Sequence, residues 1–302
     1  MEGFRAGYAA IIGRPNVGKS TLLNAILGEK ISIVSSKPQT TRDRLHGVYT
    51  DDRCQIVFVD TPGIIDPKDV FNEYLMSEAR EALDGVDVVL VMIEANDREP
   101  APPELTRLLR PVSTPLFLVV NKIDLAPAPA GAWPARGLEE LRFERQFAVS
   151  ATQRTGIAEL VTAIAERLPE GEPFYDPDQL SDRDLRYLVS ERVREKVLEL
   201  TRQEIPYGVA ARTEEFREAQ DDRKTFIAVT IFVERESQKG IVIGKGAAMI
   251  QQIGREARPE IEALVGGPVF LELSVKVRKN WRKDPAALRD LGYAPKPRRR
   301  RR

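Results

Sequence analysis

Two residue types that often carry protein chemistry are nearly missing from this sequence. Among its 302 residues, Cys54 is the single cysteine and His46 is the single histidine. One cysteine excludes a disulfide framework and favours a cytoplasmic setting. Because the chain also has only one histidine, zinc sites built from histidine and cysteine are excluded, and a Ser–His–Asp triad is not expected.

Long apolar runs are missing as well. No stretch approaches the roughly 18 apolar residues that a membrane-spanning helix needs. The first residues, MEGFRAGYAAIIG, have no basic segment before their short apolar run, so we expect neither a signal peptide nor a transit peptide. Hydrophobic residues make up 42% and charged residues 30%, which is typical of a folded globular protein with room for two domains.

The chain also has no net charge, but its charged side chains are unevenly distributed. The chain has 46 basic and 46 acidic side chains, yet residues 271–302 carry 12 basic and 3 acidic ones, a net charge of +9. A basic end on an otherwise acidic chain predicts a polyanionic partner, either RNA or an anionic lipid surface. Taken alone, the terminal run Arg298–Arg302 is equally well explained as a solubilising end.

The first half of the chain alternates short apolar strands with helical patterns. The predicted strands are GYAAIIG, QIVFVD, DVVLVMIEA, PLFLVVN and QFAVS. Because such Val/Ile runs suit strands buried on both faces, the pattern predicts a mostly parallel, doubly wound α/β sheet. HGVYT and QIVFV, joined through DDRC, predict one antiparallel pair at an edge of that sheet.

The second half begins after a change of composition. PEGEPFYDPDQLSD, residues 169–182, is rich in proline and acidic residues and predicts a linker. Beyond it an amphipathic helix, two strands, a helix pair broken near GREARPE and a last strand predict a smaller α+β domain of order α-β-β-α-α-β. We therefore expect domains at 1–170 and 183–302, joined by a linker at 171–182.

The stretch GRPNVGKS matches the phosphate-loop pattern G-x-x-x-x-G-K-[ST]. It follows a predicted strand and opens a predicted helix, the context that this motif requires. In such a loop backbone N–H groups surround phosphate oxygens, the lysine meets the β- and γ-phosphates, and the serine hydroxyl ligates Mg²⁺. The residues predicted to bind phosphate are Gly13, Arg14, Pro15, Asn16, Val17, Gly18, Lys19, Ser20 and Thr21.

Three further motifs stand at the ends of successive strands. In DTPG, Asp60 is placed to hold Mg²⁺ through water and Gly63 to donate its N–H to a γ-phosphate. In NKID, the Asp124 carboxylate matches the two adjacent N–H donors of guanine, which adenine lacks. A backbone contact from Ser150-Ala151 to the guanine oxygen completes a predicted GTP pocket. The residues of these motifs are Asp60, Thr61, Pro62, Gly63, Asn121, Lys122, Asp124, Ser150 and Ala151.

These motifs, in this order, resemble the translation-factor-like branch of Ras-type GTPases. The resemblance implies that KPQTTRD is the first switch, with Thr41 as the Mg²⁺ ligand and Thr40 as the alternative. Ile64 stands where many relatives have a water-orienting glutamine, so slow intrinsic hydrolysis is expected. In related GRPN-type GTPases the residue at Asn16 is associated with K⁺ beside the phosphates. The implied switch residues are Gln39, Thr40, Thr41, Arg42, Asp43 and Ile64.

A second glycine loop, in VIGKGAAMI, resembles the K-homology signature, whose G-x-x-G loop clamps single-stranded nucleic acid. Its fourth position is Ala247 instead of glycine, and the methyl group is tolerated there if φ stays negative. Lys245 is placed to meet a phosphate, and the neighbouring aliphatic residues to form an apolar floor for bases. The implied RNA-binding residues are Val242, Ile243, Gly244, Lys245, Gly246, Ala247 and Ile250.

A basic cluster, VKVRKNWRKD, follows the last predicted strand. Lys279 and Arg282 suit contacts with phosphates, and the Trp281 indole suits stacking on a base. Packing of Trp281 against the last helix, AALRDLGY, is an equal alternative.

One GTPase domain followed by one K-homology domain of the prokaryotic type II form resembles a family of bacterial ribosome-assembly GTPases. The resemblance implies Mg²⁺-dependent GTP hydrolysis, binding near the 3′ end of 16S ribosomal RNA, a role in maturation of the 30S subunit, and RNA binding controlled by the GTP or GDP state. It also implies peripheral contact with the cytoplasmic side of the inner membrane, and we expect a monomer. Two alternatives remain. One is an RNA-binding assembly factor or RNA chaperone with negligible turnover. The other is a tRNA-modifying or other multidomain GTPase, and the presence of a single NKID motif argues against relatives with tandem GTPase domains.

Overall fold

The computed structural model describes residues 3–35, 37, 39–97, 99–126, 136–201, 205, 208–219 and 224–293. The chain divides into two compact units. The first is drawn from Met1–Val34, Thr41–Lys68 and Asn72–Asp182, and the second from Ser35–Thr40, Asp69–Phe71 and Arg183–Arg302. Within the described ranges, no helix has the length and apolar character needed to cross a membrane.

The first unit is built on a sheet in which six strands are described. They are β1 (Arg5–Gly13), β2 (Leu45–Thr50), β3 (Cys54–Asp60), β4 (Val88–Glu94), β5 (Leu116–Asn121) and β6 (Arg145–Ala148), in the spatial order β2-β3-β1-β4-β5-β6. Only the pairing of β2 with β3 is antiparallel among these strands. The predicted doubly wound sheet and its antiparallel edge pair are both confirmed.

Helices cover both faces of this sheet, which explains why β3 and β5 are buried along their whole length. The described helices are α1 (Lys19–Leu27), α2 (Val70–Glu81), α3 (Pro103–Leu109) and α4 (Ile157–Ala165). Because β1, β3, β5 and β6 are parallel, their carboxyl ends lie at one edge of the sheet, where ligands bind in folds of this kind. The four sequence motifs all follow these strand ends.

The segment predicted as a linker packs along the first unit. The buried Gln55 side chain accepts hydrogen bonds from the backbone N–H groups of Phe174 (2.7 Å) and Tyr175 (3.0 Å) and donates to the Tyr175 carbonyl (2.9 Å). Further along, the Val48 N–H donates to the Leu180 carbonyl at 2.9 Å. Because its backbone finds partners on β2 and β3, this stretch stays with the first unit as far as Asp182.

The second unit has the predicted order α-β-β-α-α-β, followed by a short helix. Its described elements are α5 (Leu185–Leu200), β7 (Ala210–Arg217), β8 (Thr225–Val233), α6 (Glu236–Ile243), α7 (Ala248–Val265), β9 (Val269–Val277) and α8 (Pro285–Asp290). The strands form one sheet in the order β7-β8-β9, antiparallel between β7 and β8 and parallel between β8 and β9.

The expected helix break near GREARPE is wrong, because α7 continues through it with Pro259 inside the helix. A proline within a helix costs about 3 kcal/mol relative to alanine. Ile253, Ala257 and Ile261 on the same helix are buried in the core of the unit. Burying one isoleucine side chain contributes about 1.5–3 kcal/mol to stability, so the burial of these residues outweighs the cost of the proline.

Replacing Gln55 by alanine should release the 174–175 segment. The variant loses the amide's bonds to the backbone of Phe174 and Tyr175, so the first unit should lose about 2–3 kcal/mol of unfolding free energy. Hydrogen exchange at these two amides should accelerate. Gln179→Ala, which removes an exposed bond to the Ser181 carbonyl, is the matched control and should change little. Unchanged exchange at 174–175 in Gln55→Ala would contradict this account.

Candidate functional site

The first glycine loop lies between β1 and α1, and it depends on close approach between backbones. Gly18 has φ of 96°, and a Cβ atom there would lie 2.3 Å from the Asn121 Nδ2 atom. A Cβ on Gly63 would lie 2.6 Å from the backbone nitrogen of Pro15. The Ile64 N–H donates to the Gly13 carbonyl at 3.0 Å. The DTPG segment is therefore seated against the phosphate loop.

Lys19 lies beneath this loop. Its side chain is buried, and its ammonium group donates to the carbonyls of Gly13 at 3.3 Å and Arg14 at 3.0 Å. Burial lowers the pKa of Lys19 to about 8, an effect that the nearby Asp60 carboxylate opposes. The cation is thus held in a position where phosphate oxygens would compensate its desolvation.

A cluster of oxygen atoms surrounds Asp60, at the end of β3. The Ser20 hydroxyl donates to the Asp60 carboxylate at 2.7 Å and lies 2.8 Å from the Thr41 hydroxyl. The Thr41 hydroxyl is itself 3.5 Å from the same carboxylate. Ser32, which the sequence did not single out, adds a bond to Asp60 at 3.0 Å. The Thr40 hydroxyl instead donates to the Lys37 carbonyl, at 2.6 Å, so Thr41 is the threonine that faces this cluster.

The chemistry of this cluster fits a hard divalent cation. Asp60 is buried, and burial raises the pKa of its carboxyl group, opposed by the Ser20 hydrogen bond and the Lys19 charge. The Asp60 Oδ1 atom is buried without a hydrogen-bond partner among the described residues. Hydroxyl and carboxylate oxygens are the ligands that Mg²⁺ prefers, usually with several waters and few carboxylates. Ser20, Thr41 and Asp60 therefore form a suitable donor set.

The NKID motif ties three loops together. The buried Asn121 side chain donates to the Val17 carbonyl at 2.8 Å and accepts from the Ala151 N–H at 3.0 Å. The Asp124 carboxylate accepts a hydrogen bond from the Ser150 hydroxyl at 2.5 Å. The phosphate loop, the NKID loop and the Ser150 loop are therefore positioned by one another.

Lys122 adds further contacts between the NKID loop, the phosphate loop and the end of β4. Its ammonium group donates to the Asn16 carbonyl at 2.8 Å and pairs with the Glu94 carboxylate. Glu94 was missed by sequence reasoning. Its signal was its place at the end of β4, since β4 and β5 are parallel neighbours and Glu94 stands in register with Asn121.

Two predicted pocket residues direct their side chains elsewhere. The Arg14 guanidinium pairs with Asp97 and Glu99, each at 2.8 Å, and the Glu99 hydrogen bond raises the pKa of Arg14 despite partial burial. The Thr61 hydroxyl is buried and donates to the Ile11 carbonyl at 2.7 Å. At both positions a contact with a nucleotide would therefore have to come from the backbone.

The second glycine loop lies between α6 and α7 of the second unit. Gly244, Gly246 and Ala247 have φ angles of 74°, 58° and 64°. The condition of a negative φ at Ala247 is therefore not met, because the chain turns from α6 into α7 through consecutive left-handed residues. An L-residue in this region costs roughly 1–2 kcal/mol. Lys245 and Gly246 are exposed.

The predicted apolar floor is only partly available. Val242 is fully buried and belongs to the hydrophobic core of the second unit, so its proposed contact with bases is wrong. Ile243 and Ile250 are half-buried against that core. Ile241, one helical step from Val242, is 51% exposed next to the loop and was missed. A 100° step along α6 decides which of these neighbours faces outward.

Trp281 is buried in the second unit, so the packing alternative describes it and base stacking does not. Its indole N–H donates to the Gly208 carbonyl at 3.0 Å, and its ring stacks on Tyr293 with 5.5 Å between centroids. Arg282 pairs with Glu234 at 2.8 Å, whereas Lys279 is exposed. The terminal run Arg298–Arg302 lies outside the described residues.

Comparison with known proteins connects both halves of the chain to described families. Residues 8–122 match the model of the 50S ribosome-binding GTPase family, and residues 204–282 match the KH domain family. The chain is 44% identical over 294 residues to the GTPase Era of Carboxydothermus hydrogenoformans, covering 96% of this chain and 98% of that protein. It is 46% identical over 299 residues to the GTPase Era of Lacticaseibacillus paracasei, covering 98% and 99%.

Solved structures agree. A crystal structure of an Aquifex aeolicus Era variant bound to GDP·AlF₄⁻ matches with a TM-score of 0.89 and 40% identity, over 97% of this chain and 100% of that one. A crystal structure of Era in complex with MgGDPNP and nucleotides 1506–1542 of 16S ribosomal RNA matches with a TM-score of 0.87 and 39% identity, over 97% and 100%. The resemblance thus extends over nearly the whole length, and the chain belongs to the Era family of GTPases.

Proposed function

We propose that this chain is a Mg²⁺-dependent GTPase that binds 16S ribosomal RNA near its 3′ end and acts in assembly of the small (30S) ribosomal subunit. The observation that carries the proposal is that the oxygen cluster at Asp60 and the guanine-matching Asp124 both follow strand ends of one sheet, where Asn121 ties the phosphate loop at Val17 to Ala151. Related Era structures contain MgGDPNP with 16S ribosomal RNA, and GDP·AlF₄⁻.

In this proposal Ser20 and Thr41 would hold Mg²⁺ directly and Asp60 would hold it through water. Mg²⁺, when bound, neutralises charge on the β- and γ-phosphates. Lys19 meets the same phosphates, and the Gly63 N–H donates to the γ-phosphate. The switch residues around Thr41 and Ile64 are ordered by that phosphate and relax when it leaves, which changes the RNA affinity of the second unit.

Slow turnover is part of the proposal. Ile64 is 1% exposed and packs in the core of the first unit, so its side chain cannot orient an attacking water. The same observation favours the second candidate, a nucleotide-gated RNA-binding factor or RNA chaperone with negligible turnover. A single-turnover GTP assay, with Lys19→Ala as the inactive control, separates the two.

We assign nucleotide binding to residues 1–170 and RNA binding to 183–302. Lys245 and the exposed loop backbone at Gly246 would face the RNA, and the exposed Lys279 would add a further phosphate contact. The net charge of +9 in residues 271–302 supports contact with RNA, and also peripheral contact of a cytoplasmic monomer with the anionic inner membrane.

Asp124→Asn should weaken guanine binding. The change removes a charged acceptor for two guanine N–H groups, worth roughly 1.5–3 kcal/mol, or about 10- to 150-fold in Kd. The new amide matches the C2 carbonyl of xanthine, so affinity for xanthosine nucleotides should rise. Calorimetry with GDP, XDP and ADP measures this. If the unaltered protein showed no preference for GTP over ATP, the nucleotide part of the proposal would be lost.

Potassium should accelerate hydrolysis through the proposed cation site at Asn16. This residue is exposed on the phosphate loop with φ of 67°. A cation beside it would supply the positive charge that an arginine finger supplies in other GTPases. Single-turnover hydrolysis should therefore be faster in potassium than in sodium buffer, and Asn16→Ala should abolish the difference. Equal rates in the two salts would rule out this site.

Gly246→Asp should abolish capture of a 16S 3′-end fragment. A Cβ atom at Gly246 meets no atom within 4 Å, so an aspartate has room there, with only the backbone strain of its positive φ (58°), and it places a carboxylate where the RNA backbone is expected. Gly266→Asp is the matched control, because Gly266 also has positive φ (77°) and open space at the end of α7. If both variants bound RNA normally, or both lost it equally, the loop would not be the clamp.

A further inference from the structure

The second unit includes two short pieces from the first half of the chain, residues 35–40 and 69–71. The first piece ends at the residue before Thr41, whose hydroxyl faces Ser20 in the first unit. The second piece follows DTPGI by a few residues. A switch segment thus changes from one unit to the other between Thr40 and Thr41.

Within the second unit, Arg194 of α5 holds the end of the first piece. Its guanidinium is fully buried, and Nη2 donates to the Thr40 carbonyl at 2.5 Å. Nε and Nη2 also donate to the Glu191 carboxylate, at 2.7 Å and 2.5 Å. Glu191 is one helical turn away, so α5 fixes the planar guanidinium in the orientation that reaches Thr40.

Burial of the Arg194 charge has a desolvation cost that its hydrogen bonds must compensate. A buried ion pair is often no more stable than apolar residues of similar volume. Glu191 alone would suffice as counter-charge. The additional bond to the Thr40 carbonyl fixes a stretch of chain that has no regular secondary structure.

The planarity of the peptide bond carries this constraint to the nucleotide site. The Thr40 carbonyl oxygen and the Thr41 nitrogen and Cα belong to one rigid peptide unit. Holding that oxygen therefore limits the directions in which the Thr41 side chain can point. The Thr40 hydroxyl is bonded to the Lys37 carbonyl at 2.6 Å, which limits rotation of the preceding residue.

The second piece is anchored in the same unit by aromatic packing. The Phe71 ring meets Trp281 edge-on, with 5.3 Å between centroids, and Tyr293 in the same manner at 5.5 Å. Phe71 and Trp281 are both fully buried. Packing against Phe71 thus explains the buried tryptophan of the basic cluster VKVRKNWRKD, which base stacking does not.

We propose that Arg194 is a positioning residue for GTP: through the Thr40 carbonyl it holds the Thr41 hydroxyl towards Ser20 and Asp60, so that a helix of the second unit supports the triphosphate–Mg²⁺ state. The inference rests on the proposed GTPase function. GDP, which lacks the γ-phosphate, does not need the ordered switch. Arg194 should therefore affect the affinity for a GTP analogue and leave the affinity for GDP unchanged.

The test compares Arg194→Met, Arg194→Lys and Glu191→Gln in the full chain. Calorimetry with GDPNP and with GDP, each in Mg²⁺ and in EDTA, gives four dissociation constants for each variant. Arg194→Met should weaken GDPNP binding in Mg²⁺ roughly 10- to 100-fold, the loss of a charge-assisted hydrogen bond, with GDP binding unchanged within about twofold. In EDTA the GDPNP difference should disappear, and single-turnover GTP hydrolysis in Mg²⁺ should slow in parallel.

Glu191→Gln is the matched control for damage to α5, because it removes the charge of the ion pair while the glutamine oxygen can still accept from Arg194 and keep the guanidinium oriented. It should bind GDPNP within about threefold of the unaltered protein. If Arg194→Met fails to fold, Arg194→Lys provides the test. A lysine lacks the planar guanidinium that donates to Glu191 and Thr40 together, so selective loss of GDPNP binding is again expected.

Unchanged GDPNP affinity in the folded variant would overturn the inference, as would equal losses for GDPNP and GDP, or equal effects of Glu191→Gln and Arg194→Met. These results leave the GTPase proposal standing. If the unaltered protein does not prefer GTP to ATP, the proposed function itself is wrong, and the inference fails with it.

Discussion

The buried Asp60 carboxylate is the interaction on which the nucleotide site depends. It lies at the carboxyl end of β3 and draws hydroxyl groups from three separate segments, those of Ser20, Ser32 and Thr41. A carboxylate buried in this way is stable only when several donors or a cation compensate its lost hydration. The need for compensation thus orders the residues around it, and the same oxygen atoms form a donor set for Mg²⁺.

The two glycine loops solve different physical problems. In the first loop glycine is required by lack of space, because Cβ atoms on Gly18 and Gly63 would collide with a side chain and a backbone segment. In the second loop glycine is favoured by conformation, since Gly246 has positive φ but open space around it. The first loop encloses a small anion between packed elements. The second leaves its backbone exposed to solvent, where in the proposed function it would meet a long polymer.

The second unit holds two short pieces of the first half of the chain. Arg194 gives the second unit a hydrogen bond to the switch at Thr40, and Phe71 gives it an apolar anchor on the segment after DTPGI. The stretch 171–182, whose composition suggests a flexible linker, is instead held by Gln55 on the first unit.

The sequence alone was sufficient for the order of strands and helices, the four nucleotide motifs and the second glycine loop, since each depends on local periodicity or short spacing. The tertiary structure alone decided which neighbours face inward. Val242 is buried where the sequence suggested an RNA contact, and Trp281 takes the packing alternative of the two that the sequence left open. Ala247 takes a left-handed conformation, and Glu94 reaches Lys122 across parallel strands. The physical reason is that burial, backbone hand and pairing across strands depend on residues distant in the chain, which local patterns do not contain.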